Sequence, residues 1–256
     1  MINKHYSVIL GVNVSRSARS PKVWNEWYEK SKSSVRMKPI DVNSDYEFEQ
    51  IINKLKNDKY CLGGAVAVPF KGLMAEILKS PDGAINCFYR DKNEVFIGTN
   101  TDALAGEKLI LDNINEKDHI LFIGNGHTGS AILKRSSIEQ HKSIVVYART
   151  LKTDLKIKQK KIYEINDLVK VYERMVLFNA TSVGGPMAIN KELISENSFK
   201  RLISYGLYKV IDINNAQAEK SHLEKLCSNY DICFINGNQM NEHQARLAFD
   251  LVNKYI

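Results

Sequence analysis

Short apolar runs alternate with longer amphipathic segments from the start of the chain. "YSVILGV" is an unbroken apolar run between polar residues, the pattern of a strand buried on both faces. "SPKVWNEWYEKS" follows with apolar positions three and four apart; Ser20 is expected as its N-cap and Pro21 at its first helical position. "MKPIDV" reads as a second strand, "DYEFEQIINKLKN" as a second amphipathic helix, "LGGAVAV" as a third strand, and "PFKGLMAEILK" opens a third helix. This βαβαβα order specifies a parallel sheet covered by helices.

The alternation then breaks. "GAINCFYR-DKN-EVFIGTN" reads as two short strands around a turn, a β-hairpin. "TDALAGEKLILDNI" is helical, with Thr101 as the expected cap. A second alternating series runs from "HILFIGNG" through "SIVVYA", "RMVLFNAT" and "YKVIDI" to "DICFING", and "NQMNEHQARLAFDLVNKY" is a final amphipathic helix. The break places a domain boundary near 101–104 and divides the chain into 1–102, 103–237 and a closing helix at 238–256. The class is α/β throughout.

A chain of 256 residues, 44% hydrophobic, suffices for one large core or two ordinary ones. The net charge of +7 raises nucleic-acid binding, but the lysines are scattered and no zinc-finger spacing or aromatic-and-arginine pattern accompanies them. The run "KIKQKK" reads as a solvated loop or helix face. Cys61, Cys87, Cys227 and Cys233 have no C-x-x-C spacing and read as buried small hydrophobes of a reducing compartment; no metal site is indicated. The apolar run near the start is too short for a signal sequence, and no 18-residue apolar stretch exists. A soluble cytoplasmic protein, monomer or homodimer, with neither membrane nor nucleic-acid partner, is expected.

"ILFIGNGHTGSAIL" is a strand, then Gly124-x-Gly126-x-x-Gly129, then a helix. In this context Gly124 permits the tight turn, Gly126 lets backbone N–H groups approach a pyrophosphate, and Gly129 allows close helix–strand packing. In "SIVVYARTLK" an NAD-type site would place a carboxylate near Tyr147 or Ala148; Arg149, Thr150 and Lys152 follow instead, and no carboxylate appears before Asp154. An arginine there suits a 2′-phosphate, so NADP is favoured over NAD.

"GGAVAVPFKG" ends an apolar strand on a lysine, Lys71, and Asp102 begins the helix at the domain junction. Oxidising a secondary alcohol requires hydride transfer and a positioned acid–base group, and a lysine beside a carboxylate serves the second need. Taken singly, Lys71 could be a snorkelling surface lysine, Asp102 a helix-start carboxylate, Asn86 a turn residue and Gln244 part of a solvated face.

Their order resembles the shikimate dehydrogenase family over almost the whole chain. "VPFK" is similar to the family's "TxPxK" and "GAINCFYR…FIGTNTDALAG" to its "GAVNT…GxNTDxxG". "ART" is similar to "NRT", "NATSVGG" to "NATSxGM", and "GNQMNEHQARLAF" to "GxxMLxxQAAxxF". The resemblance implies Lys71 and Asp102 as the catalytic pair, and Ser17, Ser20, Asn86 and Gln244 as contacts to a cyclic hydroxy acid. It implies Gly124, Asn125, Gly126, His127, Thr128, Gly129, Arg149, Thr150, Thr181, Ser182, Gly237 and Met240 around NADP. The implied fold is an N-terminal α/β substrate domain, a Rossmann domain, and a C-terminal helix that returns to the first domain.

The substrate side departs from the family. Its opening "GxPxxxSxSP" becomes "GVNVSRSARSP", one residue longer. Ser20 matches the second serine; the first falls on Ala18, unless the extra residue lets Ser17 take its place. Arg16 and Arg19 offer charge for a carboxylate instead. The family's asparagine and threonine in "NVTxPxK" become Ala65 and Ala67, the tyrosine of "DxxY" becomes Asn215, and the histidine of "SPxxHN" becomes Trp24. The expectation is an NADP-dependent interconversion of shikimate and 3-dehydroshikimate, or of a related acid such as quinate or aminoshikimate. Two rivals remain: a non-catalytic or regulatory NADP(H)-binding protein, and another two-domain enzyme with a catalytic lysine, such as a folate dehydrogenase.

Overall fold

The computed structural model describes residues 5–141, 143–168 and 170–255. The chain forms two compact units, one made of residues up to Thr101 together with those from His243 onward, the other of Asp102–Glu242.

The first unit holds β1 (Tyr6–Gly11), α1 (Val14–Ser17), α2 (Ser20–Lys30), β2 (Arg36–Asp41), α3 (Asp45–Asn57), β3 (Cys61–Val66), α4 (Lys71–Ile77), β4 (Cys87–Arg90) and β5 (Phe96–Thr99). Its sheet has the order β2-β1-β3-β4-β5. The first three strands are parallel, and the expected hairpin adds β4 and β5 antiparallel. One face buries Phe48, Ile52, Leu55, Phe70 and Met74 from α3, α4 and the turn before it. Ser44 caps α3 by accepting from Glu47 N. Arg19, not Ser20, occupies the N-cap position of α2, so the helix starts one residue earlier than the Ser20 cap implies, with Pro21 at its second position.

The second unit holds α5 (Thr101–Asn113, whose first residue closes the first unit), β6 (His119–Ile123), α6 (His127–Leu133), α7 (Ser136–Glu139), β7 (Ile144–Ala148), β8 (Gln159–Lys161), β9 (Met175–Asn179), α8 (Glu196–Ser204), β10 (Leu207–Asp212), α9 (His222–Asn229) and β11 (Cys233–Ile235). All pairings are parallel, in the order β11-β10-β9-β6-β7-β8. The chain winds outward from β6 on one side, then returns and winds outward on the other: the doubly wound dinucleotide-binding topology, with its switch point between β6 and β9. Apolar clusters cover both faces.

Helix α10 (Asn238–Val252) supplies Met240 to the core of the second unit, and Ala248, Phe249 and Val252 to the second face of the first unit's sheet. There Phe249 lies against Trp24, Trp27 and Tyr28, with ring centroids 4.8–5.5 Å away.

Two expectations need correction. The lysine run is neither loop nor helix face throughout: Gln159–Lys161 forms an edge strand on β7, where lysines blunt an exposed edge without any apolar alternation. Cys61, Cys87 and Cys227 are buried thiols, but Cys233 lies exposed on the edge strand β11. Among the described residues no group of His, Cys, Asp and Glu is placed to hold a metal ion, and no helix is long and apolar enough to cross a membrane.

Candidate functional site

In the first unit the site residues gather at the carboxyl end of β3. Ala67 N donates to Leu10 O at 2.8 Å, and Phe70 N returns to Ala67 O at 3.1 Å, closing a turn through the cis Val68–Pro69 bond. Phe70 is buried and stacks on Phe48 at 4.7 Å, which fixes the residue before Lys71. Lys71 is then the first residue of α4 and is half-buried; its carbonyl accepts Ile85 N at 3.0 Å, so the next segment is tied to it.

That segment brings in Asn86, which is 7% exposed. Its carbonyl accepts Val66 N at 2.9 Å. Its side-chain Oδ1 accepts the Thr101 N–H at 2.8 Å and the Thr101 hydroxyl at 3.1 Å. Asn86 Nδ2 donates to Gln244 Oε1 at 3.4 Å, an oxygen also within 3.3 Å of Thr101 Oγ1. Three chain segments thus meet in one polar group. The amide orientations follow: with Asn86 Oδ1 engaged by the start of α5, Nδ2 faces Gln244. Thr101, expected only as a helix cap, is the missed third member, buried completely. Nothing near it in the chain signals this, because its partner Gln244 lies on α10.

The remaining first-unit expectations are distributed differently. The opening loop contains the short α1, entered through Asn13 at φ 52°. Ser17 is exposed, and its hydroxyl donates to Asn13 O at 2.8 Å. Ser20 is half-buried at the first position of α2, while Arg16 and Arg19 are exposed. Ala18, Ala65 and Ala67 are partly buried and all pack against the apolar cluster that contains Trp24 and Phe249. Asn25 bridges α2 to β2 through Met37 N and O.

Asp102 is the second residue of α5, half-buried, and belongs with the second unit. There the glycine loop follows β6 at the switch point. Gly124 has φ +101°, and a Cβ on it would lie 3.0 Å from Ala180 O and 2.7 Å from Thr181 Cγ2. A Cβ on Gly129 would lie 2.4 Å from Gly124 O, so helix and strand approach as closely as the motif requires. A Cβ on Gly126 would meet nothing within 4 Å: the space before the loop is open. Asn125 is buried and donates to Thr150 O at 2.7 Å; His127 is exposed and Thr128 half-buried at the head of α6.

The loop after β7 exposes Arg149 and Thr150. Lys152 Nζ lies 2.8 Å from Ser130 Oγ in α6, and the first carboxylate beyond β7, Asp154, is 2.7 Å from Lys134 Nζ. The Lys134 ammonium holds the Asp154 carboxyl below its ordinary range. At the end of β9, Asn179 Oδ1 accepts Thr181 N and Oγ1 at 3.0 and 2.7 Å, and Ser182 next to it is exposed. Gly237 packs where a Cβ would lie 1.9 Å from Ile213 O, and Met240 is 6% exposed within the core. These two are built into the packing, whereas Gly126, Arg149, Thr150 and Ser182 present open surface. A glycine loop with open space before it fits the phosphates of a dinucleotide.

No family model matches the chain, and no curated protein does. Solved structures do. Shikimate 5-dehydrogenase from Listeria monocytogenes, in complex with shikimate and NAD, superposes with a TM-score of 0.78 at 18% identity, covering 99% of this chain and 93% of that one. A shikimate dehydrogenase in complex with NADP+ gives 0.77 at 20% identity, with coverage of 98% and 90%. Quinate dehydrogenase from Corynebacterium glutamicum, in complex with NAD, gives 0.76 at 17% identity, with coverage of 98% and 94%. The chain has the two-domain fold of shikimate dehydrogenases along nearly its full length.

Proposed function

We propose that this protein is a nicotinamide-dependent oxidoreductase of the shikimate dehydrogenase family. It interconverts a cyclic hydroxy acid and its ketone: shikimate and 3-dehydroshikimate, or a close relative such as quinate, with NADP as the favoured cofactor. The observation that carries this reading is the hydrogen-bonded group of Asn86, Thr101 and Gln244, assembled from three distant segments beside the turn that carries Lys71.

The Gly124–Gly129 loop, with Thr181 and Ser182, would hold the dinucleotide, and Arg149 and Thr150 its ribose phosphate. The bound dinucleotide supplies the hydride acceptor. Asn86 and Gln244 orient the substrate ring. Lys71 takes the proton of the substrate hydroxyl as the adjacent C–H bond gives up hydride and the carbonyl forms, and Asp102 is assigned as the second member of the catalytic pair. The apolar packing of Ala18, Ala65 and Ala67 supports a relative of shikimate with fewer polar contacts at these positions. The same feature supports a second reading, a non-catalytic NADP(H)-binding protein of this fold.

The test is reduction of NADP+ and NAD+ followed at 340 nm with shikimate, quinate and aminoshikimate. Turnover on one of these acids is expected, and Lys71→Met should lower it about 10²- to 10⁴-fold with NADPH binding intact. Near-normal turnover by the variant overturns the role of Lys71. NADPH binding without turnover on any acid favours the second reading.

A further inference from the structure

The lysine-rich strand β8 has no part in the chemistry above, yet two of its side chains reach the loop that follows β7. Gln159 Oε1 accepts Lys152 N at 3.0 Å, and Gln159 Nε2 donates to Lys152 O at 2.6 Å. This is the pair of bonds that a neighbouring strand would make, here supplied by one amide side chain. Asn125 Nδ2, in the glycine loop, reaches the same Gln159 oxygen at 3.4 Å and Thr150 O at 2.7 Å. Lys161, two residues along and therefore on the same side of β8, donates from Nζ to Arg149 O at 3.1 Å. Register pairing of Gln159 with Val146 and Lys161 with Ala148 fixes where both side chains start.

The segment Arg149–Lys152 is consequently held at Arg149 O, Thr150 O, Lys152 N and Lys152 O, although it lies at the surface. Left to itself, a loop bearing Arg149 and Lys152 beside Lys160 and Lys161 would be spread by mutual repulsion and by backbone entropy. Fixing it in advance lowers the ordering cost of binding a compact, doubly charged anion. On the dinucleotide-binding reading above, the group that meets this loop is the ribose phosphate, the one group that distinguishes NADPH from NADH.

We infer that β8 is a selectivity strut: Gln159 and Lys161 are positioning residues that hold the Arg149–Lys152 loop in the form that receives a ribose phosphate monoester. The inference rests on the proposed cofactor reading and adds to it residues outside the glycine and "ART" motifs.

The experiment measures dissociation constants for NADPH and NADH by nicotinamide fluorescence, with melting temperatures, for the full chain and its Gln159→Leu, Gln159→Glu and Lys161→Met variants. For Gln159→Leu, NADPH affinity should fall about tenfold while NADH affinity stays within about twofold. Gln159→Glu keeps the acceptor for Lys152 N and should recover part of the loss. Lys161→Met should show a smaller loss of the same kind. Equal weakening of both cofactors together with a large drop in melting temperature would reduce β8 to a sheet edge and overturn the inference. Wild-type preference for NADPH that persists in Gln159→Leu would also overturn it, leaving the dinucleotide reading intact. Wild-type protein that binds neither cofactor removes that reading and the strut with it.

Discussion

Asn86 serves the start of α5 and Gln244 with one amide, so its removal has a structural as well as a binding consequence. Asn86→Ala leaves the buried Thr101 N–H without its acceptor, which costs about 1–3 kcal/mol; Thr101→Val removes only a hydroxyl and should cost about 1 kcal/mol. Urea unfolding of the two variants checks that order. His119 is the second residue with a calculable effect. It is 7% exposed, stacks on Tyr172 at 3.7 Å, and has no partner for Nε2. Burial, with Lys170, His141 and Lys158 nearby, lowers its pKa to about 4. The folded state therefore resists a proton that the unfolded chain accepts near 6.5, and stability falls as pH drops from about 6.5 to about 4. The loss attributable to this residue is about 2 kcal/mol after discounting for solvent at the ring edge. His119→Phe, which keeps the stacked ring, should flatten that part of the stability–pH curve; an unchanged slope would assign the acid sensitivity elsewhere. At this scale Lys71, Asn86 and Gln244 were legible as candidates because each lies in a local motif. The part played by Thr101 was not, since it depends on a partner more than a hundred residues away.

Among the elements, the strands with continuous apolar runs and the hairpin were legible from period and turn residues alone. β8 was not: an edge strand that buries little need not alternate, and its lysines imitate a solvated face. Exposed Cys233, on the other edge strand of the same sheet, escaped for the same reason, because a short edge strand leaves one side unburied. Helix α10 shows how much one element can carry. Its Phe249 is 8% exposed and meets three aromatic rings on α2. Phe249→Ala should destabilise the first unit by about 3–5 kcal/mol, the range for an emptied aromatic site. A shift below 1 kcal/mol in chemical denaturation would mean the cluster collapses to fill the space.

For the whole molecule, the relevant fact is that the first unit is discontinuous in the chain, completed by residues from His243 onward. The protein contains two tryptophans, Trp24 and Trp27, and both face Phe249. Intrinsic fluorescence therefore reports the docking of α10 on this unit. A chain stopped after Glu242 should show red-shifted, solvent-exposed tryptophan emission while the second unit keeps its helical circular dichroism. Native-like emission from that chain would show that the first unit needs no completion.

The same discontinuity sets a timetable during synthesis. Residues up to Thr101 leave the ribosome with one sheet face covered by α2 alone, and the helix that completes its cover follows about 140 residues later. At roughly 5–20 residues per second this is an interval of about 7–30 s. During it the dinucleotide-binding unit emerges whole and can close, while Trp24, Tyr28 and the apolar residues around them stay open to water and to chaperones. The half of the protein made first is thus the half finished last.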